Sequence, residues 1–445
     1  MKIIIAGAGQ VGSHLAKLLS QENHDIMLID IDKDRLQAVS EKLEILTYAG
    51  SSISKKTLTD VEVGKCDLYI AVTPEESTNI LSCMLASELG AVKTLARVDK
   101  DEYQQGVNQV FFTKQGVDSM IYPEKTAALE IVAALRNPWT RSYWELLDGS
   151  IILAGCKIRN NAPICGKTLE EISKKRKLFH VVAIKRNNKT IIPFGKDKIL
   201  HNDLVYYATL KEHFLQLNEP MGKETYYVKN VMIMGGSRIG EWVARLLGND
   251  VNVKVIEINQ ARAEKLSEDI GQKATILVGD GLDNELLVEE GIEETDAFIA
   301  VTGNTEANIL SCLAAKNHGV KKTIAEIENL DFISIAQSLD IGTIINKKHI
   351  AASKIYELLL KADVSNFKCL TFADANVGEI IAQPGSKVTK KKVSDLNLPT
   401  DFTLGALVRG GKPILIDGET QIKEWDKVVV FFLNKSLKQI EKLFH

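Results

Sequence analysis

From the first residue to about position 120, short apolar runs alternate with stretches whose apolar residues recur every three or four positions. The runs KIIIAG, DIMLID, EILTYAG, DLYIAVT, TLARV and QVFFT are rich in β-branched and aromatic residues and have the length of strands. Between them, SHLAKLLSQ puts Leu15, Leu18 and Leu19 on one helical face, and STNILSCMLASEL does the same with Ile80, Leu81, Met84 and Leu85. Strand, helix, strand in this rhythm predicts a parallel sheet covered on both faces. A longer helix, PEKTAALEIVAALR, then leads away, with Pro123 in its first turn. Behind it VVAIKRNNKTIIPFG and VYYATL, with their Asn and Gly turns, predict a small α+β module of roughly 80 residues.

The same succession occurs twice. KIIIAGAGQVG (from Lys2) returns as NVMIMGGSRIG (from Asn230), a shift of 228 (7 to 235) at the first glycine. AVTPEESTNILSC returns as AVTGNTEANILSC, shifted by 229 (71 to 300), and AIKRNNKTIIPFG as ALVRGGKPILIDG, shifted by 223 (183 to 406). The helix after the first sheet is echoed by KKHIAASKIYELLLK. A near-constant offset of this size is far longer than a solenoid period and means tandem duplication of a two-part unit. The expected divisions are 1–135 and 223–350 for two Rossmann-like, doubly wound parallel-sheet domains, and 136–222 and 351–445 for the small modules. The fold class is therefore α/β with α+β modules, and 445 residues accommodate it.

Gly7, Gly9 and Gly12 form GxGxxG between a strand and a helix, the context that gives this pattern meaning. Gly7 allows the tight turn, Gly9 lets a pyrophosphate approach the backbone, and Gly12 lets the helix pack close to its strand. The helix start then offers unpaired N–H groups to the phosphates. Asp30 ends the second strand, where a carboxylate would hold the ribose hydroxyls and repel a 2′-phosphate, so NADP is disfavoured. Asp32 reads as a turn or cap residue. In the second half Gly235 and Gly240 correspond to Gly7 and Gly12, Ser237 replaces Gly9, Glu257 stands for Asp30, and Asp280 matches Ser51. That site is expected to bind a different nucleotide, to bind one weakly, or to be vestigial.

Composition is that of a globular chain, with 45% hydrophobic and 25% charged residues and a net charge of −3. The clusters KKRK (Lys174 to Lys177) and KKK (Lys390 to Lys392) read as solvated surface, not as a nucleic-acid patch. Six cysteines at 66, 83, 156, 165, 312 and 369 form no CxxC pair, which fits reduced thiols and no zinc site. No window approaches the roughly 18 apolar residues of a spanning helix, and the start is no signal peptide. A cytosolic protein that reaches a membrane only by docking on a partner is expected.

With these residues in view the chain resembles, along nearly its whole length, the TrkA family, peripheral subunits of bacterial Trk potassium uptake systems built from tandem RCK (regulator of potassium conductance) units. The marks are KIIIAGAGQVG, LIDID, the AVT(P/G)xxxxNIL segment in both halves and the two small modules. The resemblance implies a homodimeric or homotetrameric assembly, peripheral on the inner face of the membrane, that binds NAD or NADH, or else ATP or ADP, and controls an integral-membrane potassium transporter without catalysis. It implies a first site of Gly7, Ala8, Gly9, Gln10 and Val11, with Gly12 behind them, then Asp30, Ser51, Ser52, Thr73, Pro74 and, as the phosphate cation, Arg97. The second would use Gly235, Gly236, Ser237, Arg238, Ile239, Glu257, Asp280, Thr302 and Gly303, with Glu326 where Arg97 stands in the first.

A dehydrogenase needs a substrate domain with a proton donor as well as a cofactor platform. The eight histidines (14, 24, 180, 201, 213, 318, 349 and 445) form no ligand spacing, and His14, on the first helix, reads as a surface residue. No GxSxG, Cys/His pair or P-loop lysine occurs, so no catalytic or metal residue is assigned. An NAD-dependent oxidoreductase of unknown substrate is the alternative; a redox-sensing transcription factor is a further rival, without an evident basic helix-turn-helix.

Overall fold

The computed structural model describes residues 1–20, 24–175, 178–187, 189–359, 364–370, 375–433 and 437–444. Arg176 and Lys177 of the first Lys-rich cluster, Asn188, the end of KKHIAASKIYELLLK and His445 lie outside them. Six strands, β1 (Lys2–Ala6), β2 (Asp25–Asp30), β3 (Leu46–Ala49), β4 (Leu68–Ala71), β5 (Thr94–Arg97) and β6 (Ser119–Ile121), make a parallel sheet in the order β3-β2-β1-β4-β5-β6. This is the strand order of a dinucleotide-binding fold, with its switch point between β1 and β4. Ile3, Ile4 and Ile5 are all fully buried, which is why β1 reads as an unbroken apolar run: helices cover both of its faces.

Five further strands, β7 (Ser142–Leu146), β8 (Ile151–Lys157), β9 (Phe179–Arg186), β10 (Lys189–Ile191) and β11 (Leu204–Leu210), form an antiparallel sheet ordered β10-β9-β11-β8-β7. The scheme then repeats. The parallel sheet of the second half comprises β12 (Asn230–Met234), β13 (Asn252–Glu257), β14 (Thr275–Val278), β15 (Ala297–Ala300), β16 (Lys322–Glu326) and β17 (Thr343–Ile345), ordered β14-β13-β12-β15-β16-β17. Its antiparallel companion has β18 (Val364–Cys369), β19 (Ala375–Ile381), β20 (Phe402–Arg409), β21 (Lys412–Leu415) and β22 (Lys427–Leu433), ordered β18-β19-β22-β20-β21.

Each antiparallel module carries the same ion pair, a buried aspartate held by a half-buried arginine. Arg186 donates through Nε and Nη2 to the two oxygens of Asp203 at 2.8 and 2.7 Å, and Arg409 to Asp426 at 2.9 and 2.6 Å. Both aspartates are 1% exposed, and each accepts a further backbone N–H, from Leu200 or from Lys423, at 2.7 Å. A fork-to-fork pair of this kind fixes orientation as well as charge.

Chain proximity divides the protein into two compact units, Met1–Thr126 with Lys347–Leu359, and Ala127–Asn346 with Leu360–His445. In the first, the helix Lys347–Leu359 packs on the helix Gln10–Ser20. In the second, the two antiparallel modules and the parallel sheet share one apolar core that includes Leu153, Val182, Tyr206, Phe298, Val377 and Phe431. The Leu147 N–H donates to Glu379 Oε1 at 2.8 Å inside it.

Three sequence expectations change. QVFFT is not a strand: it lies in the helix Gly106–Lys114, which buries none of its residues, with Val107 84% and Phe111 54% exposed. The free edge of β5 is taken instead by the three-residue β6, through Leu95↔Ser119 and Arg97↔Ile121. β-Propensity without an available sheet edge does not make a strand. In the helix Glu76–Glu88, Leu81 is 43% exposed, while Asn79, Ile80, Ser82, Cys83 and Ala86 are buried; small residues let the helix approach the sheet. The helix Thr305–Asn317 repeats this with Leu310 57% exposed. Finally, His14 is not a surface residue. Its ring centroid lies 6.0 Å from that of His349, and its Nε2 is buried without a partner.

Burial, then the neighbouring His349, Lys348 and Lys17, hold the His14 imidazole down at about 3. The unfolded chain takes up that proton near 6.5 and the folded one does not, so stability is full above pH 6.5 and falls as pH drops toward 3. On the order of 1–2 kcal/mol should be lost between pH 7 and pH 5, and His14→Leu should flatten the urea-denaturation midpoint over that window. An unchanged slope in the variant would remove His14 as the cause.

Candidate nucleotide site

The first glycine loop has the geometry its spacing predicts. Gly7 adopts φ +110° and donates its N–H to Ile29 O at 2.8 Å, which turns the chain sharply off β1. A Cβ at Gly12 would come within 1.8 Å of Gly7 O, so nothing larger fits between helix and turn. A Cβ at Gly9 would meet nothing within 4 Å: that face is open. Gln10 begins the helix Gln10–Ser20, so Ala8, Gly9, Gln10 and Val11 carry its amide-rich end.

Asp30 ends β2 beside this loop. Its Oδ2 accepts the Ala8 N–H at 2.5 Å and its Oδ1 accepts the Asp32 N–H at 2.9 Å. Each carboxylate oxygen retains a lone pair for an incoming donor, and the side chain is partly exposed. Asp32 caps the helix Lys33–Ser40, accepting from the N–H groups of Asp34 and Arg35. Ser51 and Ser52 follow β3, and Thr73 and Pro74 follow β4. All of these stand at carboxyl ends of the parallel strands, where open α/β sheets take ligands.

Arg97 ends β5, but its guanidinium is already engaged. Nη2 lies 2.8 Å from Glu124 Oε1 and 3.7 Å from Asp99 Oδ1. Its Nε is buried without a partner. Glu124, missed from sequence, opens the long helix Pro123–Arg136 and is 5% exposed.

Asn79 was also missed. It is 1% exposed, and its Oδ1 accepts the Thr73 N–H and hydroxyl at 2.8 and 2.7 Å. Its Nδ2 donates to Thr73 O and Arg97 O, both at 3.0 Å, and so clamps the ends of β4 and β5. Asn308 does the same in the second half, accepting from Thr302 and donating to Thr302 O and Glu326 O. The signal was present: this Asn recurs inside both NILSC copies, where a polar residue interrupts an apolar face.

The second loop keeps the backbone turn but uses its helix amides differently. Gly235 has φ +106°, and a Cβ at Gly240 would come within 2.4 Å of Gly235 O. Ser237, however, is the N-cap of the helix Arg238–Leu247, and its Oγ accepts the Gly240 N–H at 3.3 Å. The hydroxyl takes an amide that a phosphate would otherwise use. Glu257 is buried and accepts from the N–H groups of Gly236 and Asn259 at 2.8 and 2.9 Å. Arg262, also missed from sequence, donates to Gly236 O at 2.9 Å. Exposed Asp280 accepts the Leu282 N–H, Ile239 is buried in the helix, and Arg238, Thr302 and Gly303 lie at the same strand ends. Glu326, 2% exposed, puts a carboxylate at the end of β16 where the first sheet has Arg97.

Two parallel sheets with glycine turns, each followed along the chain by an antiparallel module, define a tandem Rossmann-like protein. The TrkA-N domain family matches residues 3–123 and 231–347, and the TrkA-C domain family residues 153–222 and 377–445. The chain belongs to the TrkA family. It is 31% identical to the Trk system potassium uptake protein TrkA of Vibrio alginolyticus, covering 100% of this chain and 98% of that one. It is also 31% identical to a TrkA homolog of Methanosarcina mazei, with 100% of both chains covered. Among solved structures, the GsuK RCK domain superposes with TM-score 0.65 at 16% identity, covering 100% of this chain and 94% of that one. The GsuK channel bound to NAD gives TM-score 0.63 at 16% identity, over 100% and 78%. At these identities the two structures bear on the fold alone.

Asn79→Ala would leave Thr73 N–H and two backbone carbonyls without their buried partner. Loss of about 1–3 kcal/mol of stability is expected, read by chemical denaturation, with Asn308→Ala costing a similar amount. A variant as stable as wild type would contradict the clamp.

Proposed function

We propose that the protein is a cytoplasmic regulatory subunit of a potassium uptake system, which binds NAD(H) or an adenine nucleotide at the first glycine loop and acts on an integral-membrane transporter through a change in its own conformation. The observation that carries the reading is the pairing of an open Gly9 face with the half-exposed Asp30 carboxylate at the switch point of the sheet. Family membership supports the potassium partner, since the relatives are named for potassium uptake. Among the described residues no helix is long and apolar enough to cross a membrane, so the effect on ion flow would pass through a partner. The tandem units suit a homodimer or homotetramer seated on it.

A diphosphate would rest against the amides of Gly9 to Val11, with the adenosine ribose hydroxyls donating to Asp30. The Ala8 N–H bond would hold that carboxylate in place meanwhile. A phosphate reaching Arg97 would compete with Glu124, so binding there exchanges one anion for another. Such an exchange links ligand to the helix Pro123–Arg136, which leads out of the first sheet. The second loop, capped by Ser237 and lined by Glu257 and Glu326, would bind the same nucleotides more weakly. No chemical step is assigned: the regulator works by differential affinity between two arrangements, and roughly 1–3 kcal/mol of coupling would change flux several-fold to a hundredfold.

Calorimetric titration of the whole chain with NAD, NADH, ADP and ATP tests this. At least one should bind, Asp30→Ala should weaken it about tenfold or more through loss of charged hydrogen bonds, and Glu257→Ala should leave that transition in place. Absence of heat from all four ligands, or equal affinity in Asp30→Ala, would sink the reading. Cofactor turnover with a hydroxy or keto substrate would favour the oxidoreductase instead.

A further inference from the structure

The second compact unit contains a cluster of basic side chains at the end of its parallel sheet remote from the glycine turn. Lys322 is the first residue of β16 and Thr343 the first of β17, whereas Gly235 follows the last residue of β12. At about 3.3 Å per strand residue, the five-residue β16 separates the two ends by roughly 15 Å. At the hub stands one carboxylate, Asp340, held in a left-handed backbone conformation at φ +57°. Arg141 Nη2 lies 2.6 Å from its Oδ1, Lys157 Nζ 3.6 Å from Oδ1, Lys316 Nζ 3.6 Å from Oδ2, and Arg159 pairs with Oδ2. Buried Lys322 lies behind them, its Nζ donating to Thr140 O at 2.7 Å and Thr343 Oγ1 at 3.0 Å. Neither acceptor carries charge.

Next to this cluster is a cavity of about 440 Å³ lined by Arg141, Lys223, Lys316, Lys321, Lys322 and Tyr226, with Glu224 as the one carboxylate among the described lining residues. Glu224 is exposed. Lys223 and Lys321 have no carboxylate partner among the described residues, and Lys321 Nζ sits 5.4 Å from the Tyr226 ring centroid. The charge is therefore concentrated and under-neutralised. Burial, and after it the neighbouring cations, keep Lys157, Lys223 and Lys316 below the usual lysine range, while burial and Arg141 bring Lys322 to about 7. Burial raises Asp340, but Arg141, Lys157, Arg159 and Lys316 more than offset it and hold the carboxyl low. One acid faces one buried and several half-buried cations, and the buried one, Lys322, has no counter-ion of its own.

We infer that this cavity is a second, separate ligand site, which takes a small polyphosphate anion, free pyrophosphate or the phosphate tail of a nucleotide, on Arg141, Lys223, Lys321 and Lys322. Its size suits a phosphorylated small molecule, and lysine and arginine together supply the charge-assisted donors that phosphate oxygens require. The site is peculiar to the second half. Strand register pairs Leu95 with Ser119 and Ile324 with Thr343, which sets Gly116 opposite Asp340, and the lysine equivalent to Lys322 is exposed Lys93, bonded to Leu358 O. The first half thus lacks both the hub and the buried cation.

The test uses the whole chain at low salt, in an Asp30→Ala, Glu257→Ala background that weakens the glycine loops. Calorimetry with inorganic phosphate, pyrophosphate and ATP should give saturable pyrophosphate binding, tighter than inorganic phosphate. Lys223→Gln with Lys321→Gln should weaken it at least tenfold while leaving the thermal midpoint unchanged, since both side chains sit at the cavity wall and neither touches Asp340. If ATP binds more tightly than pyrophosphate and is lost with the same two lysines, the ligand is a nucleotide; if the two bind equally, it is free polyphosphate. No saturable pyrophosphate binding, or binding indifferent to Lys223 and Lys321, would overturn the assignment. Should the double variant lose its fold, Lys321→Gln alone, with an exposed side chain, must still lower the affinity.

Discussion

The closeness of a helix to the turn before it governs this protein. A single methyl at Gly12 would lie 1.8 Å from the carbonyl oxygen of Gly7, and one at Gly240 would lie 2.4 Å from that of Gly235. Because neither methyl is present, each first helix starts immediately against its own strand, and its unpaired amides point over the sheet's carboxyl edge. The remaining features of the two loops are arranged around that edge. Asp30 and Glu257 brace the turns from the neighbouring strand, and Asn79 and Asn308 fasten the next two strand ends together.

Comparison of the two halves separates what the backbone requires from what a ligand would read. The bracing acid, the clamping Asn, the glycine contacts and the Arg–Asp fork of each module are all duplicated. The charges and side chains above the sheet are not. Gly9 has become Ser237, whose hydroxyl caps the helix, and Arg97 has become Glu326. Asp30 is half exposed whereas Glu257 is buried. The second copy has kept its architecture, while Ser237 and Glu257 accept backbone amides of their own loop. Its opposite edge has meanwhile gained positive charge around Asp340.

Much of this was legible in the residues. Apolar runs gave five of the six strands of the first parallel sheet, glycine spacing placed the turns, and an offset near 228 revealed the duplication. What escaped was decided by contacts distant along the chain. QVFFT has strand composition, but the sheet edge it would need belongs to Ser119–Ile121. Leu81 has the periodicity of a core residue, yet Asn79 must face inward to reach Arg97 O, and this turns Leu81 outward. His14 looked solvent-facing because the surface that covers it, around His349, is supplied 335 residues later (14 to 349). Arg97 appeared free for phosphate because Glu124 lies beyond the strands that define the fold.

The placement of Lys347–Leu359 with Met1–Thr126 bears on how the polypeptide is made. Synthesis runs from the amino end, so the first sheet emerges long before the helix that lies on Gln10–Ser20. Until more than two hundred further residues have left the ribosome, the face of Gln10–Ser20 that this helix covers stays without its native partner.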